Sequence, residues 1–600
     1  MKQKILQKLY RIVEYYRQHG MKRFLRHFIS RLLCMEEMNY SRWRKENKLT
    51  KSEIERQQKQ QFEIAPKISI LVPLYCTPKE YLKELIDSVR NQTYSNWELC
   101  LSDGSGTGRM DHSYIEESIK EDSRIKFVVS DIQLQISENT NKAFEIATGD
   151  FIAFADHDDL LAENALYECV KVINEHPEVE IIYTDEDKVS MNGKNYFQPH
   201  FKSDFNLDLL RSMNYICHFF VVKKSVQEQV GLLRKEYNGA QDYDFVLRCV
   251  EKANHIYHIP KILYHWRAHQ DSTAENPESK MYAFEAGQKA IASHLERCGQ
   301  KATVTMGEYL GIYRVKYELE KSPLVSILIP NKDHVDDLKR CVQSLYNVSN
   351  YKNFEIIIIE NNSTCEETFA YYQHLSETQE NVRVITWSSE DGFNFAALNN
   401  FGAQYANGEY LLFLNNDTEI LNEDSVTEMV SHMNRDAVGA VGARLYYPDG
   451  TIQHAGVIVG LGGIAGHAFK DFSKHDGGYF YRILCTQNYS AVTAACMMMS
   501  KRLFDEVGGF DERLKVAFND IDLCMSIRKK GKLIVYTPYA ELYHYESKSR
   551  GLENTKEKVE RFNGEVDYFA EKWKKELEAK DPYYNRNLTL EKHDFSLKIL

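Results

Sequence analysis

The sequence predicts an α/β protein with two tandem domains, each built on an open, mostly parallel sheet. The chain has 600 residues, which exceeds the size at which a single hydrophobic core stops growing. Apolar runs of strand length alternate with amphipathic helical patterns, which is typical of a parallel sheet covered by helices on both faces. A series of short motifs also occurs twice in the same order, which indicates a duplicated domain.

The composition is that of an ordinary globular protein, with 43% hydrophobic and 27% charged residues. The net charge of -12 argues against a nucleic-acid partner. The 12 cysteines include no Cys-x-x-Cys pair, and several lie inside apolar runs, as is usual in a reducing compartment. Because the sequence has no signal peptide and no apolar stretch near the length of a bilayer span, we expect a cytoplasmic protein.

The N-terminal residues 1–35 combine basic and apolar side chains at three- and four-residue spacing, with an interruption near Gly20. This spacing predicts basic amphipathic helices. Such helices can lie in an anionic membrane interface, so we expect peripheral attachment to the inner face of the cell membrane. The alternative is a helix packed on the body of the protein. The charged residues 36–66 are interpreted as a linker.

The internal repeat sets the predicted domain boundaries. The motif Ser69-Ile-Leu-Val-Pro73 returns 257 positions later as Ser326-Ile-Leu-Ile-Pro330, and later motifs return at offsets of 259, 278 and 279. One insertion in the second copy accounts for the main jump in the offset, and the glycine-rich stretch 456–478 is its expected place. We therefore predict domains at 67–305 and 323–555, a linker at 306–322 and a helical extension at 556–600.

Strand and helix patterns follow each other in the same order in both copies. A first apolar run precedes an amphipathic helix at 78–91 in the first copy and at 335–345 in the second. A later apolar run at 151–155 precedes a helical pattern at 163–174. Ligands of such sheets bind beyond the carboxyl ends of the strands, and the polar motif residues lie where these runs end.

The acids at the strand ends fit three chemical tasks. A carboxylate ending the second strand can accept the imide N–H of uracil or thymine, a later acidic group can hold a hard divalent cation, and an aspartate opening a helix can act as a general base. In that order, with the second copy after the first, these residues are Asp103 and Glu360; Asp156, Asp158 and Asp159 with Asn415, Asn416 and Asp417; and Asp242 with Asp520. Transfer of a sugar from a nucleotide diphosphate requires all three tasks.

Each of these residues also has a purely structural explanation. An aspartate at a strand end often caps a helix or forms a turn, and Asp242 and Asp244 can cap the helix that they open. His265 and His544 can be interface histidines. The functional interpretation is favoured because the same residue types occur in the same order, at matching strand ends, in both copies.

The motifs resemble those of family-2 glycosyltransferases with the GT-A fold, over residues 67–275 and 323–552. The second half resembles the rhamnosyltransferase-type branch, including large two-domain members that act in O-antigen and capsule assembly. The motifs are Ser-Asp-Gly-Ser at 102–105, Asp-His-Asp-Asp at 156–159 and Gln-Asp-Tyr-Asp-Phe at 241–245, then Glu-Asn-Asn-Ser at 360–363, Gly-Phe-Asn-Phe at 392–395, Leu-Asn-Asn-Asp-Thr at 414–418, Tyr-Pro-Asp-Gly-Thr-Ile-Gln-His-Ala-Gly-Val at 447–457, Val-Gly-Gly-Phe-Asp-Glu at 507–512 and His-Tyr-Glu-Ser-Lys-Ser-Arg at 544–550. Glu360 stands where the family usually has aspartate, and Gln241 and Asn519 stand where it often has glutamate.

The resemblance implies roles for individual residues of an inverting, metal-dependent transferase. Asp242 and Asp520 match the catalytic base. Asp158, Asp417 and His544 match the ligands of Mg²⁺ or Mn²⁺. The expected nucleotide-sugar-binding residues are Pro73, Tyr75, Asp103, Asp156, Arg267, Pro330, Asn331, Glu360, Asn362, Asn399, Asn415 and Arg550. A late loop with His544, Ser547 and Arg550 is expected at the metal or diphosphate, and its counterpart in the first half is His265, Arg267 and His269.

The resemblance also implies the partners. The donors are expected to be dTDP- or UDP-sugars, with rhamnose favoured for the second domain. The acceptor is expected to be a glycan on a polyprenyl diphosphate carrier, which agrees with a basic amphipathic N-terminus at the membrane. We expect a bifunctional enzyme. The alternative is that one domain is a carbohydrate-binding or assembly module, because a fold alone does not establish activity.

Two other enzyme classes are disfavoured. A processive polymer synthase would carry Gln-x-x-Arg-Trp and membrane-spanning helices, and the sequence has neither. The stretch Gly460-Leu-Gly-Gly-Ile-Ala465 resembles a dinucleotide fingerprint, but it lies deep inside the second domain rather than after its first strand. A glycine-rich loop near the acceptor is the expected role of this stretch.

Overall fold

The computed structural model describes residues 35–268, 281–388, 392–546 and 555–598. The predicted amphipathic helices of residues 1–35 lie outside this part of the chain except for Met35. Within it, no helix is both long enough and apolar enough to cross a membrane.

The first domain is built on a nine-stranded sheet. Its strands are β1 Ile68–Leu74, β2 Trp97–Asp103, β3 Ile125–Val129, β4 Phe151–Phe154, β5 Leu160–Leu161, β6 Ile181–Val189, β7 Tyr196–His200, β8 Phe220–Lys223 and β9 Ile256–Arg267. Their order is β3-β2-β1-β4-β8-β6-β9-β5, with β7 paired to β6. The strands β3, β2, β1 and β4 run parallel, whereas β8 is antiparallel to both neighbours. The predicted open α/β sheet is confirmed.

The second domain repeats this arrangement in a ten-stranded sheet. A hairpin of β10 Ala302–Met306 and β11 Tyr313–Tyr317 precedes it, and its own region contains β12 Val325–Asn331, β13 Phe354–Glu360, β14 Val382–Thr386, β15 Tyr410–Leu414, β16 Thr418–Ile420, β17 Val438–Tyr446, β18 Ile452–His454, β19 Val457–Val459, β20 Ala465–His467, β21 Gln487–Tyr489, β22 Cys496–Ser500 and β23 Leu533–His544. The main order is β14-β13-β12-β15-β22-β17-β23-β16. It matches the first sheet strand by strand, so the duplication inferred from the motifs is a duplication of topology.

Helices cover both sheets. In the first half they are Met35–Glu46, Lys51–Lys59, Lys79–Arg90, Ser113–Glu121, Ile136–Ile146, Ala165–Glu175, Leu207–Ser212, Lys224–Val230, Gln241–Val250 and Met281–Arg297; in the second half they are Val335–Asn347, Glu366–Thr378, Phe395–Ala403, Ser425–Met433, Lys501–Val507, Asn519–Lys529, Lys556–Lys572 and Lys574–Ala579. The predicted helices at 78–91, 163–174 and 335–345 are confirmed. Lys79–Arg90 buries Leu82, Leu85, Ile86 and Val89, the spacing of one helical face.

The central strands explain the continuous apolar runs of the sequence. Every residue of β2 is buried, and β1 is buried at all positions except the partly exposed Pro73. A strand whose two faces are both covered by helices needs apolar side chains on both faces, so the alternation of a half-exposed strand is missing. The first polar residues beyond these strands consequently lie at their carboxyl ends.

The extra residues of the second domain lie between the strands β17 and β22. This connection comprises 447–495, whereas the connection between β6 and β8 in the first domain comprises only 190–219. It contains β18 and β21, the two-stranded sheet of β19 and β20, and the 3-10 turns Leu461–Gly463 and Tyr479–Leu484. We call residues 447–495 the insertion. It includes the stretch 456–478, where the offset between the motifs predicted it.

The two segments interpreted as linkers have regular structure. Residues 36–66 contain the helices Met35–Glu46 and Lys51–Lys59, and Thr50 caps the second of them in a reciprocal capping box with Glu53. The strand β11 lies inside 306–322 and pairs with β10, so the expected boundary at 305 cuts a hairpin.

The extension 556–600 is helical only as far as Ala579. Beyond it, the chain turns back onto the first domain, where Asn585 donates to both carboxylate oxygens of Asp185. The domains also meet directly. Arg435 Nη1 lies 2.7 Å from Asp208 Oδ1 in a buried ion pair, and the Asn206 side chain donates to the Asn488 carbonyl at 2.9 Å. These contacts connect the two sheets into one body.

Candidate active sites

The acidic group of the first domain follows β4 at the carboxyl end of the sheet. Ligand atoms of Asp156, Asp159 and His218 all lie within 4.8 Å of one another. Asp158 lies beside them, since its charge contributes to raising the pKa of both Asp156 and Asp159. Carboxylates and an imidazole at this spacing are suitable donors for a hard divalent cation.

Asp156 is accessible to a ligand, because its side chain is 44% exposed. The protein around its carboxylate raises the pKa of Asp156, and the negative charges of Asp158 and Asp242 add to this, while His218 opposes it. The backbone N–H of Asp156 donates to the Tyr264 hydroxyl at 3.0 Å. Strand β9, which carries Tyr264, therefore fixes the position of the loop after β4.

Asp159 has a structural position. It is 0% exposed, and it accepts hydrogen bonds from the Tyr264 hydroxyl at 2.6 Å and from the backbone N–H of Arg267 at 2.7 Å. Burial and the nearby charges of Asp158 and Asp156 hold the pKa of Asp159 well above its ordinary value. The first and last aspartates of the Asp-His-Asp-Asp motif therefore differ in exposure: Asp156 is open to solvent, whereas Asp159 is buried in the domain.

His218 was missed in the sequence analysis. It precedes β8 in an irregular segment without a recognisable motif, and its ring stacks on Tyr264 at 4.7 Å. Its Nε2 lies 3.8 Å from Asp156 Oδ2. Only the pairing of β8 with β4 brings it to the acidic group, and nothing in the local sequence indicates that pairing.

The expected histidine and arginine of the first domain are both held by other protein groups. His265 is held by Asp187, with Nδ1 2.5 Å from Oδ1. Arg267 is 1% exposed, and its guanidinium donates to the carbonyls of Asp158 and Met191 and to Glu84. These contacts attach Arg267 to the loop after β4, and its role in binding the nucleotide sugar stays a prediction. His269 lies outside the described residues.

Asp242 and Asp244 lie in the first turn of the helix Gln241–Val250, but they have different partners. Asp244 is buried and pairs with Arg234 and Arg248. Asp242 accepts a hydrogen bond from Asn214 Nδ2 at 3.0 Å, and its charge contributes to the raised pKa of Asp156. Neither aspartate caps the helix, whose N-cap is Ala240. Asp242 is therefore the acid of this pair that faces the acidic group.

Asp103 ends β2 with its carboxylate buried. Oδ1 accepts the backbone N–H of Ser105 at 2.8 Å, and Oδ2 lies 2.6 Å from His112 Nε2. A carboxylate has about four acceptor positions, so these two contacts leave capacity for a further donor. Tyr75 follows β1 nearby, is 42% exposed and accepts from Gln133 at 2.9 Å. The adjacent Pro73 is opposite Ser102 in the sheet.

The second domain brings together Asn415 and Asp417 of the predicted acidic group and the predicted metal ligand His544. His544 Nε2 lies 3.2 Å from Asp417 Oδ1 and 3.1 Å from Asn415 Nδ2. The other ring nitrogen, Nδ1, lies 2.6 Å from Gln453 Oε1, and this contact fixes the orientation of the ring, as is usual for histidines that bind a metal through their other nitrogen. Asn416 instead donates to Asn331 at 2.6 Å. Ser547 and Arg550 of the same loop lie outside the described residues.

Asp520 occupies the position of Asp242 in the second domain. It lies in the first turn of the helix Asn519–Lys529 and accepts the backbone N–H of Ala494 at 3.1 Å. Burial lowers the pKa of His467, and the charge of His544 also lowers it, whereas the charge of Asp520 raises it. The carbonyl of Ala495, the residue after Ala494, accepts the N–H of Asn415 at 3.0 Å, so Asp520 is connected to the group of Asn415, Asp417 and His544.

Glu360 and its neighbours lie at the end of β13. Its carboxylate accepts the backbone N–H of Ser363 at 2.7 Å, which is the counterpart of the contact between Asp103 and Ser105. Asn362 is in the exposed loop that follows, and Pro330 precedes Asn331 in β12 opposite β13. Asn331 is buried and donates to the Tyr372 hydroxyl at 2.7 Å.

Asn399 lies on a buried face of the helix Phe395–Ala403. It is 0% exposed, and its side-chain N–H donates to the Phe395 carbonyl one turn earlier at 2.9 Å. Its side-chain oxygen is buried without a hydrogen-bond partner among the described residues. The role of Asn399 in nucleotide-sugar binding stays a prediction.

The motif around Gln453 and His454 forms a buried contact inside the insertion. His454 and His467 are joined by a hydrogen bond of 2.8 Å between their Nδ1 atoms. Burial and the mutual influence of the imidazoles hold the pKa of His454 well below its ordinary value. Gly456 has φ +100, and a Cβ there would lie 2.3 Å from the ring of Tyr489. This position therefore requires glycine.

The glycine-rich stretch 460–465 is not a dinucleotide site. It forms the turn Leu461–Gly463 between the short strands β19 and β20. A dinucleotide fingerprint instead connects a first strand to a long helix whose N-terminus faces the pyrophosphate. The oxidoreductase alternative has no structural basis in this stretch.

The two sheets with a strand-end acidic group and a helix-opening aspartate define a protein of the GT-A class. The model of glycosyl transferase family 2 matches residues 69–231 and 326–508, which together exceed half of the chain. The chain belongs to this family. The tandem arrangement inferred from the motifs is confirmed, because each domain carries one match.

Two relatives match both domains. A protein of Sinorhizobium fredii described as uncharacterized is 45% identical over 89% of this chain and 58% of its own length. The O-antigen biosynthesis protein RfbC of Myxococcus xanthus is 37% identical over 89% of this chain and 41% of its own. The chain therefore spans about half the length of the curated relatives it matches.

Solved structures are more distant. The mannosyltransferase PcManGT from Pyrobaculum calidifontis, in complex with GDP-Man and Mn²⁺, is 15% identical with a TM-score of 0.32, over 43% of this chain and 66% of its own. Staphylococcus aureus TarS in complex with UDP is 20% identical with a TM-score of 0.31, over 38% and 65%. Similarity at this level adds nothing to the family match.

Proposed function

We propose that the protein is a bifunctional inverting glycosyltransferase, with one active site in each domain. The observation that carries the proposal is the repeated pairing of a helix-opening aspartate with an acidic group at the carboxyl edge of the sheet. In the first domain Asp242 accepts a hydrogen bond from Asn214, whose side-chain oxygen accepts the N–H of Cys217 beside His218. In the second, Asp520 accepts the N–H of Ala494, and the next carbonyl, that of Ala495, accepts the N–H of Asn415. Family membership supports nucleotide sugars as the donors.

Each transfer is proposed to be a single displacement. The acceptor hydroxyl oxygen forms a bond to C1 of the donor sugar while the bond from C1 to the diphosphate breaks and its electron pair leaves with the nucleotide diphosphate. The hydroxyl proton passes to Asp242 in the first domain or to Asp520 in the second. Asn214 and the Ala494 N–H orient these carboxylates. Asp103 and Glu360 are proposed to accept the imide N–H of the base.

The cofactor is proposed to be Mg²⁺ or Mn²⁺. The residues fit a divalent cation. Asp156 and His218, whose ligand atoms lie within 4.8 Å of each other, would hold it in the first domain together with Asp158, the acid that the family resemblance assigns to the metal; Asp417 and His544 would hold it in the second. A cation held there would neutralise charge on the departing diphosphate. Asp159 is less suitable as a ligand because its oxygens are engaged by Tyr264 and Arg267 inside the domain.

The proposed donors are dTDP- or UDP-sugars, with dTDP-rhamnose for the second domain, on the strength of its motif resemblance. The proposed acceptor is a glycan on a polyprenyl diphosphate carrier, used in surface polysaccharide assembly. The relative from Myxococcus xanthus, described as an O-antigen biosynthesis protein, supports this pathway class. The basic residues 1–35 are proposed to hold the protein at the inner membrane surface. The domain limits 67–305 and 323–555 are proposed as working boundaries, with the first extended to include β11.

A second candidate function is that one domain only binds carbohydrate. It is favoured by a specific observation, since Asp417 is the single carboxylate of the motif Asn415-Asn416-Asp417. The deciding experiment measures release of nucleotide diphosphate with Mn²⁺, a panel of dTDP- and UDP-sugars and a membrane extract containing lipid-linked glycan. Wild type, Asp242→Asn and Asp520→Asn are compared. Two active domains predict that each variant loses release from a different donor; a binding module predicts that only one variant matters.

A further inference from the structure

The insertion of the second domain reaches the first domain through the turn Tyr479–Leu484. The Tyr479 hydroxyl accepts the backbone N–H of Phe201 at 2.8 Å and donates to the Pro199 carbonyl at 3.0 Å. The neighbouring Phe480 ring stacks on His200 with a centroid distance of 3.9 Å and an interplanar angle of 14°. Aromatic side chains of one domain thus lie on the end of strand β7 of the other.

These aromatic rings form a partly exposed surface. Tyr481 is 42% exposed, and its ring lies 4.8 Å from that of Tyr309 in the turn of the hairpin β10–β11. We call Tyr309, Phe480 and Tyr481 the aromatic platform. Phe480 and Tyr481 have φ values of 47° and 61°. Two successive non-glycine residues in the left-handed region are unfavourable, and such strain is concentrated at functional sites.

A chain of contacts connects the platform to the acidic group of the first domain. His200, under Phe480, lies 3.5 Å from Glu186. Glu186 accepts the backbone N–H of His218 at 3.2 Å, and the His218 ring faces Asp156 at 3.8 Å. The platform is therefore anchored to the segment that positions a proposed metal ligand.

The other side of the platform is connected to the proposed base. The hairpin that carries Tyr309 continues into Tyr313, whose ring lies 6.4 Å from that of Tyr243, next to Asp242 in the chain. Burial and the charge of Asp242 raise the pKa of Tyr313. The hairpin thus connects the platform to the helix that carries the proposed base, and an acceptor must approach that base to give up its proton.

The local charge indicates what kind of ligand the platform fits. Burial and the negative charges of Glu308 and Asp476 raise the pKa of Tyr309. Nearby acidic groups repel an anionic ligand such as a diphosphate, but they do not repel an uncharged ligand. Exposed aromatic faces next to hydrogen-bonding groups suit the two-sided surface of a sugar ring, which presents C–H groups on its faces and hydroxyls at its edge.

We propose that the aromatic platform binds a sugar ring of the acceptor glycan used by the first domain, so that the second domain completes the acceptor site of the first. This inference rests on the proposed function. It has an unexpected consequence, because Phe480 and Tyr481 belong to the second domain by sequence. Their replacement is expected to impair the transfer that depends on Asp242 and to leave the transfer that depends on Asp520 unchanged.

The test compares wild type with Tyr481→Ala and with Tyr481→Trp, which restores an aromatic face. Phe369→Ala is the matched control, since Phe369 is an exposed ring of the same domain at 47%. Asp242-dependent transfer is assayed against lipid-linked glycan concentration. Tyr481→Ala is expected to raise the acceptor KM about tenfold, the size of one lost aromatic contact. Tyr481→Trp and Phe369→Ala are expected to behave like wild type, and donor hydrolysis without acceptor is expected to stay unchanged.

A binding measurement keeps this test separate from the proposed function. The oligosaccharide released from the lipid-linked glycan by mild acid is titrated against wild type and Tyr481→Ala by saturation-transfer NMR. Weaker binding of the oligosaccharide by Tyr481→Ala would support the platform even if no donor is turned over. A lack of donor turnover would overturn the proposed function and not the platform. Equal binding and an unchanged KM would overturn the platform. A parallel fall of both transfers would also overturn it, because it would indicate a structural role for Tyr481.

Discussion

His544 and Asp417 lie against each other in the second domain, with imidazole Nε2 3.2 Å from carboxylate Oδ1, whereas the equivalent His265 of the first domain turns to Asp187. The position near the acidic group is taken there by His218, from a different strand connection. The duplicated fold has thus kept one histidine beside each acidic group while changing the residue that provides it. This difference leads to the first prediction.

Replacement of His218 by alanine is expected to weaken Mn²⁺ binding by the first domain. The Mn²⁺ concentration for half-maximal Asp242-dependent transfer should rise by roughly tenfold or more, the usual scale for loss of a group that holds or orients a metal. His544→Ala should have the same effect on Asp520-dependent transfer. His265→Ala is the comparison, and it should leave the Mn²⁺ dependence unchanged. If His265→Ala shifts the Mn²⁺ dependence and His218→Ala does not, the assignment of the two histidines is wrong.

The buried ion pair between Arg435 and Asp208 is expected to stabilise the contact of the two domains. Arg435→Ala should lower the free energy of unfolding by about 3 to 5 kcal/mol, because it leaves the Asp208 carboxylate buried without its partner. The double variant Arg435→Met with Asp208→Asn should lose less, since no unpaired charge remains. Thermal unfolding monitored by circular dichroism measures both. Equal losses in the two variants would show that the charge pair is not what matters at this contact.

The histidine pair of the insertion predicts how stability depends on pH. Burial lowers the pKa of His454 well below 6.5, and burial also lowers that of His467. Below about pH 6.5 the unfolded chain therefore binds more protons than the folded one, and the free energy of unfolding decreases as the pH falls. His454→Gln should reduce this decrease. Melting temperatures of both proteins between pH 7.5 and 5.5, a range set by the reference value of histidine, measure the difference; parallel curves would contradict the prediction.

The family, the duplication and most of the helices and strands were accessible from the sequence because they depend on local patterns. Strand-end acids and helix-opening aspartates follow from periodicity and order. The proximity of Asp417 and His544 could be predicted because both belong to repeated motifs.

Other features depend on tertiary contacts that no local pattern records. His218 reaches the acidic group only through the pairing of β8 with β4. Arg267 has the sequence position of a ligand, and only the fold shows that its guanidinium donates to Glu84 and two backbone carbonyls. Asn399 lies on a helix face whose burial is known only from the fold. The domain contact through Phe480 was equally inaccessible, because it joins residues about 280 positions apart.

The central claim is that each domain transfers a sugar independently, and the mass of the acceptor glycan tests it most directly. Lipid-linked glycan is incubated with the active donors and with wild type, Asp242→Asn, Asp520→Asn or a mixture of the two variants. The masses of the products are measured by mass spectrometry. We expect wild type to add two sugar residues, each variant to lack the step of its altered domain, with that step slowed by roughly 100-fold or more, and the mixture to restore the full product. Identical products from both variants, with no restoration on mixing, would contradict two independent active sites.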